Sequence, residues 1–335
     1  MQSVGLAFFA FPIAASRAPK RPMPLIPTQK SGVPGVAFER VWVKRAASNR
    51  PCFQGLRRIG LKRTENTLPF LPPGFLDVSI VPPNGDGNPY GVAFVPNGFP
   101  SGGPLSPGDI LVSNFNSASG VQGTGTTIVA VPANGVAANV FAFFTGTFNA
   151  PTDGGLTTAL GVLKRGFVVV GNLPNTPLPD GTPQLHPGSL LFIDSTGKNI
   201  VLRYTNVHGP WALTIDDGGN SAVIFFSNVL SGTVVRLGVT VGATVSVNSA
   251  IEIAHGYATG PSVPTLVLGP TGLAHDKSED TLYVASTADN AIYKISNAEA
   301  TNVSVVKGTL VTSDPVHLHG PLALALAPNG DLSYG

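Results

Sequence analysis

Residues 208–253 read HGPWALTIDDGGNSAVIFFSNVLSGTVVRLGVTVGATVSVNSAIEI, and this stretch decides the fold. It contains four short runs rich in β-branched and aromatic residues, each bounded by Gly, Asn or Asp, which is typical of strands joined by tight turns. The predicted strands are Trp211–Ile215, Ala222–Ser227, Thr233–Leu237 and Val245–Ile253. No segment after Leu76 has the periodicity of a helix.

The same phrase, a Pro/Gly turn followed by a small-and-apolar strand, a second turn and a bulkier apolar strand, occurs five times. It begins at Asn88, Leu156, His208, Gly269 and His319. Repeats spaced roughly 50 to 70 residues apart are typical of a β-propeller with one four-stranded blade per repeat and long loops. The sequence therefore predicts an all-β propeller of about five to six blades with no significant helix.

The first strand of each repeat is built from small residues, as expected where blades converge on a central axis. These residues are Gly91, Ala93, Ala159, Gly161, Ala212, Gly272, Ala274, Ala323 and Ala325. The second strands are near-continuous apolar runs, which predicts that neighbouring blades cover both of their faces.

The stretch GPTGLAHDKSEDTLYVASTADNAIYKIS, residues 269–296, resembles an NHL-type repeat, and the other repeats match it with graded quality from Asn88 to Gly330. The resemblance implies a propeller, often six-bladed, of a group that includes binding modules, lactonase-like and lyase-like enzymes, and exported bacterial proteins of unassigned function. Fold alone does not select among these activities.

Charge divides the chain into two parts. Residues 1–64 contain 12 of the 20 Lys and Arg but one acid, Glu39, which gives this segment a net charge of +11 and the remainder −9. We predict a basic, Pro-containing arm at residues 1–66, poorly ordered, followed by the propeller at 67–335. The arm lacks the aromatic interleaving of single-strand nucleic-acid binders, so no nucleic-acid partner is expected.

An apolar run at residues 4–16, VGLAFFAFPIAAS, has the length of a signal-peptide core but no Lys or Arg before it. Residues 1–18 are interpreted as a degenerate export signal, which favours a secreted or periplasmic protein. The apolar run is too short for a transmembrane helix, so no transmembrane segment is expected. The protein is expected to be a monomer. The single Cys52 precludes an intrachain disulfide. The fifth repeat ends without a third strand, so we expect a propeller whose last blade is incomplete, truncated at the C-terminus.

His208 and His319 each precede Gly-Pro at the start of a first strand, and equivalent positions in a propeller converge on one mouth of the channel. Neutral imidazoles there could share a metal, with His317, His255 or His275 as a third ligand. The alternative interpretation is that these histidines are turn residues.

Calcium would need several oxygen ligands at the channel floor. The candidates Asp216 and Asp289 are better explained as hairpin-turn residues, and Glu252, Glu279 and Glu299 are predicted in outer strands or turns. No cofactor is expected on the main interpretation, and zinc or calcium on the alternative.

Three long loops rich in Gly, Pro, Ser and Asn are carried by the predicted blades, and such loops are where partners usually bind. They are Pro96–Pro107, Ser117–Thr124 and Leu173–Pro187. The sequence favours a binding scaffold that recognises a protein or small molecule through loops on one face. The alternative is a metal-dependent lyase or lactonase with a His-lined site, and the sequence leaves open whether the protein is an enzyme.

Overall fold

The computed structural model describes residues 40–44, 75–135, 137–144, 154–262, 266–327 and 330–335. All regular structure in these ranges is β-strand, so no described helix could span a membrane. Strand β1 (Arg40–Lys44) pairs antiparallel with β2 (Phe75–Ser79). The rest of the predicted basic arm, including the signal-like residues 1–18, lies outside the described residues.

Four sheets follow, each with four antiparallel strands in chain order, and each is one blade of the predicted propeller. The first blade contains β3 (Gly87–Phe94), β4 (Ile110–Asn116), β5 (Thr127–Val131) and β6 (Asn139–Phe143). The second contains β7 (Leu156–Leu163), β8 (Phe167–Asn172), β9 (Ser189–Asp194) and β10 (Ile200–Tyr204). The third contains β11 (Pro210–Asp217), β12 (Ser221–Asn228), β13 (Thr233–Val241) and β14 (Val245–His255).

After the hairpin of β15 (Gly260–Ser262) and β16 (Leu266–Leu268), the fourth blade contains β17 (Pro270–Asp276), β18 (Thr281–Ser286), β19 (Ala291–Ser296) and β21 (Thr309–Thr312). The short β20 (Val305–Val306) pairs in parallel with β14. A two-stranded sheet of β22 (Leu324–Leu326) and β23 (Leu332–Tyr334) packs on the fourth blade. The predicted all-β propeller is confirmed, with four complete blades and a two-stranded fifth sheet in the described residues.

The first strand of each blade, called the inner strand below, packs against the inner strand of the next blade. This approach explains the small residues in the repeat. A Cβ atom at Gly91 would lie 2.7 Å from Leu160 Cβ, and one at Gly272 would lie 2.7 Å from the main-chain nitrogen of Leu324. Any larger side chain at these positions would force neighbouring blades apart.

The second strands are buried along almost their whole length, as the apolar runs predict. Apolar clusters fill the spaces between successive blades. One cluster joins the first two blades through residues such as Leu111 and Val170, and another joins the third and fourth through Phe225 and Leu282. Because each core lies between blades, each blade depends on its neighbour for burial.

A chain of side-chain hydrogen bonds connects the inner strands from the first blade to the fifth sheet. It alternates between a serine of a second strand and a threonine of an inner strand. The bonds run from Ser113 Oγ to Thr157 O (2.9 Å), from Thr157 Oγ1 to Pro210 O (2.7 Å), from Ser227 Oγ to Thr271 O (2.9 Å), and from Thr271 Oγ1 to Pro321 O (3.2 Å). We call this chain the Ser/Thr relay.

Candidate functional site

Of the histidines singled out from the sequence, His208, His317 and His319 lie on the surface near the starts of inner strands. His255 ends the outer strand β14, and the side chain of His275 is buried near the end of β17. His208 is exposed, and its main chain is held in a turn, where its N–H donates to Asn228 Oδ1 at 2.9 Å. His319 and His317 are also exposed, and His317 Nδ1 lies 2.5 Å from Asp314 Oδ2. Among the described residues, none of these three belongs to a cluster of three or more close metal-binding side chains. Their role as metal ligands stays a prediction.

An aromatic cluster lies near the same end of the inner strands. Tyr90 of the first blade stacks on Phe115 with ring centroids 4.3 Å apart. Both rings make edge contacts with Trp211 of the third blade, at 5.6 and 5.5 Å. Burial raises the pKa of Tyr90 to about 12. Side chains of the first and third blades, which do not follow one another in the chain, therefore meet here.

A second group of chemically suitable side chains lies near the opposite end of the inner strands, between the third and fourth blades. Asp216 comes from the end of β11, His275 from the end of β17, and Glu299 from the loop after β19. One potential ligand atom from each residue lies within 4.8 Å of the other two. We call this group the interblade triad.

Packing fixes the imidazole of the triad. The His275 side chain is 5% exposed and its ring lies against Phe225 of the third blade, with centroids 4.9 Å apart. Its Nε2 lies 3.4 Å from Asp280 Oδ1, whereas its Nδ1 faces Glu299 Oε1 at 4.0 Å. The second nitrogen is therefore directed at a carboxylate but too far from it for a direct hydrogen bond.

The loop that carries Glu299 is anchored from both blades. The buried guanidinium of Arg236, on the third blade, donates to the main-chain carbonyls of Ala298, Glu299 and Thr301. On the other side, the Glu299 N–H donates to Asp280 Oδ1 at 2.8 Å. These bonds fix the main chain of Glu299, so its carboxyl group is presented toward Asp216 from a defined position.

The pKa values of the two carboxyl groups of the triad shift in opposite directions. Burial, followed by the hydrogen bond to Asp216 and its charge, raises the pKa of Glu299. Burial alone would raise the pKa of Asp216 too, but hydrogen bonds from Lys277 and Glu299 lower it on balance. Asp216 Oδ2 and Glu299 Oε1 are both buried, and no donor reaches them apart from a proton that the two carboxyl groups could share. A proton shared by the two groups, or a bound cation, would satisfy these oxygens.

One ammonium group already lies against the triad. Lys277, in the turn between β17 and β18, places Nζ 2.5 Å from Asp216 Oδ1. The Lys277 side chain is 71% exposed, while that of Asp216 is 13% exposed. The triad is therefore close to solvent, and the long, flexible side chain of Lys277 covers it on one side.

The sequence interpretation of two triad members was incomplete. Asp216 was expected in a hairpin turn but lies within β11, next to its last residue, and Glu299 lies in the loop after β19. Packing of the third and fourth blades brings both to His275. The available signal was that Asp216 and His275 end two successive inner strands, whose ends adjoin in a propeller. Nothing in the sequence near Glu299 indicates where its loop returns.

A shallow cleft is formed by one of the long loops that the sequence singled out. Its volume is about 490 Å³, and its lining includes Pro174, His186 and Arg203 of the second blade. His186 Nε2 lies 3.0 Å from Thr176 Oγ1. The binding of a partner by this loop stays a prediction.

No family model and no curated protein matches the chain. Solved structures with a similar fold include a functionally unknown protein from Desulfotomaculum acetoxidans, at 12% identity and a TM-score of 0.47, covering 78% of this chain and 68% of that one. A luciferin-regenerating enzyme has 15% identity, a TM-score of 0.47 and coverage of 78% and 72%. Virginiamycin B lyase from Staphylococcus aureus has 14% identity, a TM-score of 0.38 and coverage of 73% and 76%. No function is transferred from these proteins.

Proposed function

We propose that this protein is a propeller-based binding scaffold that holds a divalent cation at the interblade triad and, through the cation's open position, a further ligand. The observation that carries the proposal is the convergence of Asp216, His275 and Glu299 within 4.8 Å, with two buried carboxylate oxygens that lack a donor. A cation would satisfy both oxygens and remove the repulsion between the carboxylates.

The ligand types favour a transition metal over calcium. One imidazole with two carboxylates is a set that zinc accepts, and three protein ligands leave a position for water or another ligand. Calcium prefers six to eight oxygen ligands, so an imidazole nitrogen suits it less well. Zinc is therefore the first cation to test.

The test is isothermal titration with zinc chloride. We expect the wild-type protein to bind one zinc ion, and His275→Ala to bind at least about a hundredfold more weakly, because loss of a residue that merely orients a ligand already costs about 10- to 100-fold. His255→Ala is the matched control, since His255 is a partly exposed histidine of the third blade outside the triad. Absence of zinc binding by the wild type, or equal affinity of wild type and His275→Ala, would refute the proposal.

The same titration separates the triad from the site expected from sequence. Variants His208→Ala and His319→Ala should keep the wild-type stoichiometry and affinity if the triad holds the metal. Loss of zinc in both of these variants, with His275→Ala unaffected, would favour the His-lined mouth of the channel instead.

A metal-dependent lyase or lactonase is the second candidate function. What favours it is that a zinc ion held by only these three side chains would keep a coordination position open, which is typical of catalytic rather than structural zinc sites. The test compares lactone hydrolysis and elimination by zinc-loaded wild type with the same reactions of His275→Ala. Equal rates for the two proteins would exclude the triad as the catalytic centre.

The remaining features of the proposal come from the sequence. We propose that the blades are NHL-like repeats, on the motif at residues 269–296, and that the protein is exported, on the apolar run at residues 4–16. Mass spectrometry of the protein recovered from a bacterial periplasm, after expression of the whole chain, would test export by showing whether the N-terminal residues are removed.

A further inference from the structure

We propose that Lys277 is a built-in counter-ion of the interblade triad, which an incoming divalent cation displaces and which thereby sets the metal affinity. This inference rests on the proposed function of the triad. It concerns a residue that is not itself a metal ligand, because a protonated lysine has donors but no acceptor.

The two oxygens of the Asp216 carboxyl group differ in their contacts. Its Oδ1 accepts from Lys277 Nζ at 2.5 Å, whereas its Oδ2 is buried without a conventional donor. The ammonium group is thus the one full positive charge that the structure places in contact with this carboxylate in the described residues. The ammonium group therefore occupies a position at Asp216 that a metal cation could take instead.

A second Lys–Asp pair, Lys307 and Asp289 of the fourth blade, differs from Lys277 and Asp216 in this respect. Asp289 Oδ1 accepts from Lys307 Nζ at 2.7 Å, and its Oδ2 accepts from Ser286 Oγ and the Ala258 N–H. Both oxygens of Asp289 are satisfied, and Lys307 is 29% exposed. That pair is a completed structural interaction, whereas Asp216 Oδ2 has no donor apart from a proton shared with Glu299.

A cation bound to Asp216 would repel the ammonium group of Lys277. A metal bound to Asp216 at about 2 Å would lie on the order of 4 Å from the ammonium group, where like charges repel. Lys277 can leave at low cost because its side chain is 71% exposed and exposed ion pairs contribute little. Metal binding therefore exchanges one cation for another at Asp216, and the lysine lowers the apparent affinity.

The experiment measures zinc affinity by calorimetry for the wild type, Lys277→Met, Lys277→Arg and Lys307→Met. Methionine keeps much of the length of lysine but removes its charge, so we expect Lys277→Met to bind zinc about two- to fivefold more tightly. Lys277→Arg keeps the charge and should stay within about twofold of the wild type. Lys307→Met should bind zinc like the wild type, and thermal unfolding of each variant checks that it is folded.

The outcomes separate this inference from the proposed function. Equal zinc affinity of the wild type and Lys277→Met would overturn the role of Lys277 while leaving the metal site in place. Zinc binding by Lys277→Met but not by the wild type would support the opposition of Lys277 to the metal, while refuting a metal-holding function for the wild-type protein. If neither protein binds zinc, the proposed function fails, and the inference fails with it.

A second readout reports displacement directly. The wild-type protein is treated with N-acetoxysuccinimide with and without zinc, and acetylation of each lysine is followed by mass spectrometry. We expect zinc to increase the acetylation rate of Lys277 at least about twofold while leaving Lys198 unchanged, because breaking the ion pair frees the amine. The increase should be absent in His275→Ala. An unchanged rate at Lys277 in zinc-saturated protein would contradict displacement.

Discussion

The Ser/Thr relay makes one buried hydroxyl group a critical connection between blades, and Ser227→Ala tests it. Ser227 has no exposed surface, and its Oγ accepts from the Ala212 N–H at 3.2 Å while donating to Thr271 O at 2.9 Å. The variant removes both bonds at once. It would leave a buried donor on the third blade and a buried acceptor on the fourth.

Each buried polar group left without a partner costs about 1–3 kcal/mol, so we expect Ser227→Ala to lower the free energy of unfolding by about 2–4 kcal/mol. For a domain of this size that corresponds to a fall in Tm of about 4–15 °C. Differential scanning calorimetry measures it, with Ser231→Ala, an exposed turn serine, as the matched control. A change no larger than that of the control, which should stay within about 0.5 kcal/mol, would refute the reasoning.

Three further predictions concern other parts of the fold. Gly272→Ala should destabilise the protein by about 1–3 kcal/mol in urea unfolding, because its Cβ would meet the main chain of Leu324. Gly242→Ala should not, because its Cβ would meet only Thr244 O, at an ordinary contact distance of 3.9 Å. Hydrogen bonds from a lysine, a serine and a main-chain amide outweigh burial and lower the pKa of Asp289, so its stabilisation is present above about pH 4 and is lost as pH falls through the lowered value. Asp289→Asn should therefore lose stability at pH 7, with the difference from wild type shrinking in acid, as measured by urea unfolding at both pH values. The phenol of Tyr90 should ionise near pH 12, and an ultraviolet difference titration against Tyr90→Phe showing a transition near pH 10 would contradict its burial.

The architecture could be predicted from sequence because it is encoded locally and repeatedly. The strands predicted between Trp211 and Ile253 correspond to β11–β14, with bounds that differ by a few residues. Small inner-strand residues such as Gly91 and Gly272 indicated the close approach of blades, which the short distances to their neighbours confirm. Strands and turns can be predicted from the local alternation of turn residues and apolar runs, without information on contacts between distant residues.

The site was less accessible to sequence reasoning because its members are brought together by packing between blades. Asp216 and Glu299 carry ordinary turn and loop signals, and their proximity depends on how the loop after β19 returns to the third blade. Arg236 determines that return through bonds to main-chain carbonyls, which leave no trace in a side-chain pattern. The Ser/Thr relay was missed for the same reason, since each bond joins residues roughly 45–55 positions apart in sequence.

The aromatic contacts of Tyr90, Phe115 and Trp211 have a consequence for how the protein can be redesigned. These rings meet near the start of the inner strands, whereas the interblade triad lies near their far ends, and the two groups have no residue in common. The two ends of the inner strands can therefore be altered independently, one for stability and the other for chemistry.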